Sequence, residues 1–264
     1  MRGIVVCVNY DDLLNITLVR NMRFFEECVV VTSPTDERTK KLASSIPNVR
    51  VFETDAFYRF GAKFNKGLAI EEGFEFLGRE GWILIWDADT LFPSEMDLSA
   101  ITPGRLYGAR RYILDNPKQW HEELNWASLP VSNDKSFPGY FQLFHASDPT
   151  ISQLPWYDVT FGHAGGGDGY FESRWKSFVK VRLPFKVLHL GPRDTNWFGR
   201  ASPRTDSVTI EDASHHLKEM QDFLVFKGWR KPLPGRTDVT KYEEKVVVPG
   251  MPPSGYKLKG RFDH

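Results

Sequence analysis

The chain predicts an α/β fold: a mostly parallel central sheet with helices on both faces, followed by a C-terminal extension. Three observations lead there. Short apolar, β-branched runs alternate with helix-like stretches at βαβ spacing through the first third of the chain. Acidic and amide residues fall just past the ends of those runs. And 264 residues, 41% hydrophobic and 26% charged, suffice for one core of ordinary globular composition.

The elements follow in order. Residues 3–8 read as a first strand, and Asp11-Asp12 begin the loop after it. Leu13 to Phe25 carries Leu14, Leu18, Met22 and Phe25 at helical spacing. Val29–Val31 is a second strand. Thr32 to Asp36 is a loop and helix cap, and Glu37 to Ser45 continues as a helix. Val49–Glu53 is a third strand and Phe64–Leu77 a helix. Gly78 and Gly81 punctuate the approach to Trp82-Ile83-Leu84-Ile85-Trp86, a short apolar run that reads as a buried strand. In open sheets of this kind ligands sit beyond the carboxyl ends of the strands, where Asn9, Thr32, Asp55 and Asp87 fall.

The second half is less regular. Leu106–Tyr112, Tyr140–His145 and Val181–His189 are strand-like. Asp115–Leu129 is expected to hold a helix carrying Trp120 and Trp126. Residues 162–169 form a glycine-rich loop, followed by a helix over Tyr170–Phe178. Residues 191–209 read as loop, Ile210–Lys227 as an amphipathic helix, and the remainder as an extended, basic tail.

Formal net charge is zero, which excludes a globally polycationic or polyanionic design. Charge is nonetheless uneven: from Arg174 to Arg204 eight basic residues face one acidic residue, a net of +7, and from Lys227 to His264 the net is +5. Such a region could receive a diphosphate, an anionic glycan or nucleic acid, or be a solvated face. Cys7 and Cys28 sit in apolar strand contexts and read as buried free thiols. With no signal-like leader and no apolar run near the ~18 residues of a membrane span, a cytoplasmic enzyme is expected.

Four motifs carry chemistry. Asp87-Ala88-Asp89 ends the apolar strand, and Thr90-Leu91-Phe92-Pro93 is expected to turn the chain away. Two carboxylates at a strand tip are costly to bury without a cation, and Mg²⁺ or Mn²⁺ prefers such oxygens. Ala62-Lys63-Phe64-Asn65-Lys66-Gly67-Leu68-Ala69 opens the preceding helix. Ala164-Gly165-Gly166-Gly167-Asp168-Gly169-Tyr170-Phe171-Glu172-Ser173-Arg174 pairs a flexible run with an acid and a base. Val187-Leu188-His189-Leu190-Gly191 places a histidine on an apolar strand.

In this order the motifs resemble GT-A glycosyltransferases, whose central sheet is Rossmann-like. The resemblance implies a strand followed by a D-x-D metal-diphosphate site with Asp87 and Asp89 as ligands and His189 as a third. Lys63 is the expected cation and Asn65 the expected amide near ribose or diphosphate. Asn9 and Thr32 would flank the base. The glycine-rich segment is similar to the acceptor side of inverting galactosyltransferases, where Asp168 matches the catalytic Asp and Arg174 the trailing Arg. Ala164 stands where that pattern has Trp, and Gly167 replaces an acidic residue, so acceptor identity does not carry over. The implied domain spans 1–204, with a nucleotide-sugar half (1–105) and an acceptor half (106–204), before a C-terminal helix and tail (205–264).

The implied activity moves a sugar from a nucleotide-diphosphate sugar, most often a UDP-sugar, to an acceptor hydroxyl with inversion. It uses Mn²⁺ or Mg²⁺. The acceptor is a glycan, or a hydroxymethylated base in phage-type DNA. Two other readings compete. A nucleotidyltransferase or sugar-nucleotide pyrophosphorylase would usually show a glycine-rich, basic loop after the first strand, and none follows Val8. An inert sugar-binding protein would not need Asp87, Asp89 and His189 together.

Overall fold

A computed structural model describes residues 1–209 together with Lys218 and Asp222. The expected helix at Ile210–Lys227 and the tail after it lie outside the described residues. One eight-stranded sheet organises the fold. Its strands are β1 (Arg2–Val6), β2 (Glu27–Thr32), β3 (Val49–Glu53), β4 (Trp82–Asp87), β5 (Thr90–Leu91), β6 (Leu106–Leu114), β7 (Phe141–His145) and β8 (Lys180–Leu190). They lie in the order β3-β2-β1-β4-β7-β6-β8-β5. Strands β1 to β4 are mutually parallel. Beyond β4 the sheet becomes mixed: β7 is antiparallel to both β4 and β6, β6 and β8 are parallel, and β5 runs antiparallel to β8.

The helices are α1 (Asp11–Asn21), α2 (Glu37–Ser44), α3 (Lys66–Leu77) and α4 (Gly167–Ser173). Strand alternation decides which face each one covers. Ile4, Val29, Ile83 and Ile85 share a core with Leu68, Phe74 and Leu77 of α3 and Phe171 of α4. Their neighbours Val5, Val30, Leu84 and Trp86 point the other way, against Leu14 and Leu18 of α1 and Ala43 of α2. Strands β1, β2 and β4 are thus buried on both faces, which is why each carries a continuous apolar run, whereas β3, at the sheet edge, exposes Arg50 and Glu53. Gly73 lets α3 lie directly on the sheet: a Cβ there would stand 2.6 Å from Val31 Cγ2 and 2.7 Å from Ile4 Cδ1. Cys7 and Cys28 are buried and free.

Four elements differ from the sequence expectation. Asp11 and Asp12 begin α1 rather than a loop, and α1 ends at Asn21, with a 3₁₀ turn over Met22–Phe24. Asp115–Leu129 is not a helix but irregular chain with two 3₁₀ turns, Pro117–Gln119 and Trp126–Ser128. Asn116 and Asn125 each accept from the backbone N–H two residues on, a local bond that competes with helix propagation. Trp120 and Trp126 instead pack against a small core of Leu13, Leu91, Leu114 and Leu188. The helix expected over Tyr170–Phe178 starts earlier, at Gly167, and stops at Ser173, whose hydroxyl donates back to the Tyr170 carbonyl. A separate 3₁₀ turn covers Ser177–Val179. Thr90-Leu91 does not leave the sheet. It pairs with β8 as β5, in the register Thr90↔His189, because Asn21 ties this short stretch on both sides: its amide donates to the Thr90 carbonyl and accepts from Phe92 N–H.

Candidate active site

The sheet has a topological switch between β1 and β4. From β1 the chain crosses outward through α1 to β2; from β3 it crosses back through α3 to β4, which lies on the other side of β1. The crevice beyond the carboxyl ends of these two strands is the usual ligand position in such sheets. Val6 pairs with Asp87, so the exit of β1 and the acidic exit of β4 are side by side there.

Asp89 and His189 meet because β5 pairs with β8. Asp89 Oδ2 stands 3.5 Å from His189 Nε2. The Leu190 N–H donates to the Asp89 carbonyl at 2.8 Å, which holds the two chains in register. His189 Nδ1 donates to the Gly191 carbonyl at 2.9 Å. A carbonyl can only accept, so the proton is on Nδ1 and the Nε2 lone pair faces Asp89. Burial depresses the His189 pKa and keeps the ring neutral, against the opposing pull of Asp89. Burial also raises the Asp89 pKa, opposed by His189 and assisted by Asp87. Asp89 Oδ1 is buried with no hydrogen-bond partner among the described residues.

Asp87 is turned elsewhere. Its Oδ1 accepts from Lys66 Nζ at 2.7 Å. Among the described residues no three His, Cys, Asp or Glu side chains are grouped to hold a metal ion by themselves. The two that fit one are Asp89, with its orphaned buried oxygen, and His189, with a neutral ring and a fixed tautomer.

Asp168, the second residue of α4, belongs to the same cluster. Its Oδ2 accepts from the Gly139 N–H at 2.9 Å, and its Oδ1 lies 3.4 Å from the Tyr157 hydroxyl and 3.6 Å from Lys66 Nζ. Gln142 donates from its amide to the Asp168 carbonyl and accepts from the Tyr157 hydroxyl. Burial pushes the Asp168 pKa up, with Lys66 opposing. Tyr157, raised well above its usual value by burial and then by Asp168, stays protonated and donates. Gly139 permits the approach: a Cβ would fall 2.4 Å from Asp168 Oδ1.

The remaining sequence-selected residues take varied positions. Asn9 is exposed at the exit of β1 with φ 62°. Its N–H donates to Asp36 at 2.6 Å, and its carbonyl accepts from Arg200 at 2.8 Å and Arg204 at 3.1 Å. Thr32 is buried at the end of β2, with its hydroxyl 3.4 Å from Asp36. Lys63 is exposed, and its backbone N–H donates to the Gly162 carbonyl. Asn65 is buried; its Oδ1 caps α3 at Leu68 N–H, and its amide donates to the Val159 carbonyl. Arg174 donates to the Pro155 carbonyl and lies over the Tyr170 ring.

The basic run from Arg174 to Arg204 is largely spent inside the protein. Lys180 pairs with Glu172, and Arg182 donates to the carbonyls of Ala109, Asp134 and Ser136. Arg200 is held by Asp12, and Arg204 by Asp11 and Asp206.

Sequence reasoning missed Lys66, Gly139, Gln142 and Tyr157. Only Lys66 left a local trace: it is a cation at the first position of a helix, directly after the Asn65 cap, where the helix dipole disfavours positive charge. The other three come to Asp168 from chain segments without any motif.

No protein-family model matches the chain, and no curated protein does. Solved structures do. GalNAc-T7, crystallised with UDP, GalNAc and Mn²⁺, superposes with a TM-score of 0.51 at 12% identity, over 89% of this chain and 51% of that one. The fold is of the GT-A type. The chain spans about half the length of GalNAc-T7. Mannosyl-3-phosphoglycerate synthase from Rubrobacter xylanophilus is similar with a TM-score of 0.45 at 13% identity, over 94% and 81% of the two chains. The inositol-1-phosphate CTP transferase from T. maritima gives 0.46 at 11%, over 83% and 96%. Among the described residues, no helix of this GT-A-type chain is long and apolar enough to cross a membrane.

Proposed function

We propose that the chain is a metal-dependent glycosyltransferase that moves a sugar from a nucleotide-diphosphate sugar, a UDP-sugar, to an acceptor hydroxyl with inversion. The observation that carries this reading is the pairing of Asp89, whose Oδ1 is buried without a hydrogen-bond partner among the described residues, with the His189 ring, whose Nε2 lies 3.5 Å from Asp89 Oδ2, with Asp168 in the adjoining carboxylate cluster.

In this reading Asp89 and His189 hold Mn²⁺ or Mg²⁺. When bound, the ion would neutralise the charge that develops on the leaving diphosphate. Asp87 serves the donor ribose or a water on the metal. Asn9, exposed at the exit of β1, flanks the nucleoside; Thr32, wholly buried with its hydroxyl on Asp36, has no surface to offer it and acts from within the scaffold. Asn65 and Arg174 act from within the scaffold, Asn65 by starting α3 where Lys66 must stand. Asp168 takes the proton from the acceptor hydroxyl as that oxygen attacks the anomeric carbon. Residues 1–105 form the donor half and 106–204 the acceptor half. A glycan or lipid-linked sugar is the favoured acceptor, because five of the eight basic residues from Arg174 to Arg204 bind internal partners; a hydroxymethylated base in DNA is the alternative, resting on the basic stretch from Lys227 to His264.

The test is release of nucleoside diphosphate from UDP-, GDP- and TDP-sugars with Mn²⁺ and with EDTA. One donor should turn over slowly, only with metal, and not in Asp89→Asn. Absence of both turnover and metal-dependent nucleotide binding would refute the reading.

A further inference from the structure

Lys66 is in the wrong place for stability. It is the first residue of α3, at the positive end of the helix dipole, and its side chain is only 11% exposed. Burial by itself would favour a neutral amine; Asp168 and Asp87 together outweigh it and keep the group an ammonium. Local features that oppose both helix electrostatics and burial are expected where a site requires them.

What Lys66 touches identifies the requirement. Its Nζ lies 2.7 Å from Asp87 Oδ1 and 3.6 Å from Asp168 Oδ1. Asp87 comes from β4, on the donor side of the crevice, and Asp168 from α4, on the acceptor side. Like charges this close repel, and the ammonium is the cation between them. The other contacts on the Asp168 carboxylate, the Gly139 N–H and the Tyr157 hydroxyl, are neutral.

We propose that Lys66 is a positioning residue that ties the proton-accepting carboxylate of Asp168 to the donor-side carboxylate of Asp87. Without it Asp168 is pushed off the geometry that Gly139 and Tyr157 define, and the acceptor hydroxyl loses its base. Lys66 thus acts on turnover through Asp168, and is not a handle for the nucleotide. The inference rests on the glycosyltransferase reading.

The experiment uses the full chain, Mn²⁺ and the best donor from the nucleotide-sugar panel, with water as the acceptor. UDP binding with Mn²⁺ is measured by calorimetry and donor hydrolysis by diphosphate release. Lys66→Met should lower hydrolysis at least tenfold while UDP affinity stays within fivefold of the parent. Lys66→Arg, which keeps the charge, should recover at least a third of the lost rate. A loss of UDP affinity greater than fivefold would make Lys66 a donor ligand and overturn the proposal; so would a Lys66→Met rate that falls less than tenfold, or an Arg variant no better than Met. If Lys66→Met melts out, the Arg variant alone decides: it must retain UDP affinity and a third of the rate. A parent protein that neither binds UDP with Mn²⁺ nor hydrolyses any donor would instead overturn the function on which the inference stands.

Discussion

Asp168 shows how much a single carboxylate depends on its neighbours. Three groups converge on its oxygens, and a Cβ on Gly139 would collide with them. Asp168→Asn keeps the shape and removes the base, so turnover should fall by about 10²–10⁴ with nucleotide affinity unchanged; calorimetry with UDP and Mn²⁺ checks the second half. Gly139→Ala should lower turnover about 10²-fold by displacing the same carboxylate, again with the donor still bound. The pH dependence has a definite sign. Burial raises the Asp168 pKa above 3.8, and the base works only when ionised, so the rate should fall as pH drops through that raised value. His189 adds a second acid-side loss, because its protonated ring cannot ligate metal. The two separate experimentally: added Mn²⁺ should shift the His189 limb and leave the Asp168 limb in place.

Between elements, one joint is a set of buried ion pairs far apart in sequence. Arg200, whose side chain is fully buried, pairs with Asp12, which is 3% exposed, and Arg204 is bidentate to Asp11. These pairs clamp residues 200–206 onto the start of α1 and fix the Asn9 carbonyl at the tip of β1. Removing one partner leaves an uncompensated buried charge, so Asp12→Asn should cost about 3–5 kcal/mol in a denaturation experiment. Burial opposes ionisation of Asp12, but Arg200 and the Thr205 N–H prevail and its pKa is lowered from 3.8. A depressed carboxylate contributes stability that is complete above its unfolded value and is lost as pH falls through the folded one. The parent should therefore lose melting temperature below about pH 4 more steeply than Asp12→Asn. The second half of the chain shows the same dependence on partners. Residues 115–129 carry apolar positions that suggest a helix, but Asn116, Pro117 and Asn125 favour local turns, and the two Trp find a core without helix geometry.

For the molecule as a whole, metal binding should be visible as stability. An ion that binds only the folded state at a hundred times its dissociation constant adds about 2.7 kcal/mol. Mn²⁺ should then raise the melting temperature by several degrees, and Asp89→Asn should abolish the rise. How much of the architecture could be read beforehand follows from burial. Strands β1, β2 and β4 are buried on both faces, and helix-like stretches with caps separate the strands at βαβ spacing, so composition and local pattern locate them. Asp87, Asp89, Asp168 and His189 were legible because each stands at an element's end inside a short motif. The sequence by itself determined the parallel half of the sheet, which depends on residue type and local spacing, while Asp87, Asp89, Asp168 and His189 were singled out by the resemblance of their motifs to GT-A glycosyltransferases. Tertiary structure alone decided that β5 pairs with β8, which brings His189 to Asp89, and that Lys66 reaches two carboxylates 21 and 102 residues away in sequence. Gly139, Gln142 and Tyr157 enter the site the same way. Those contacts arise from sheet register and from packing between distant segments, and no local pattern of residues encodes either.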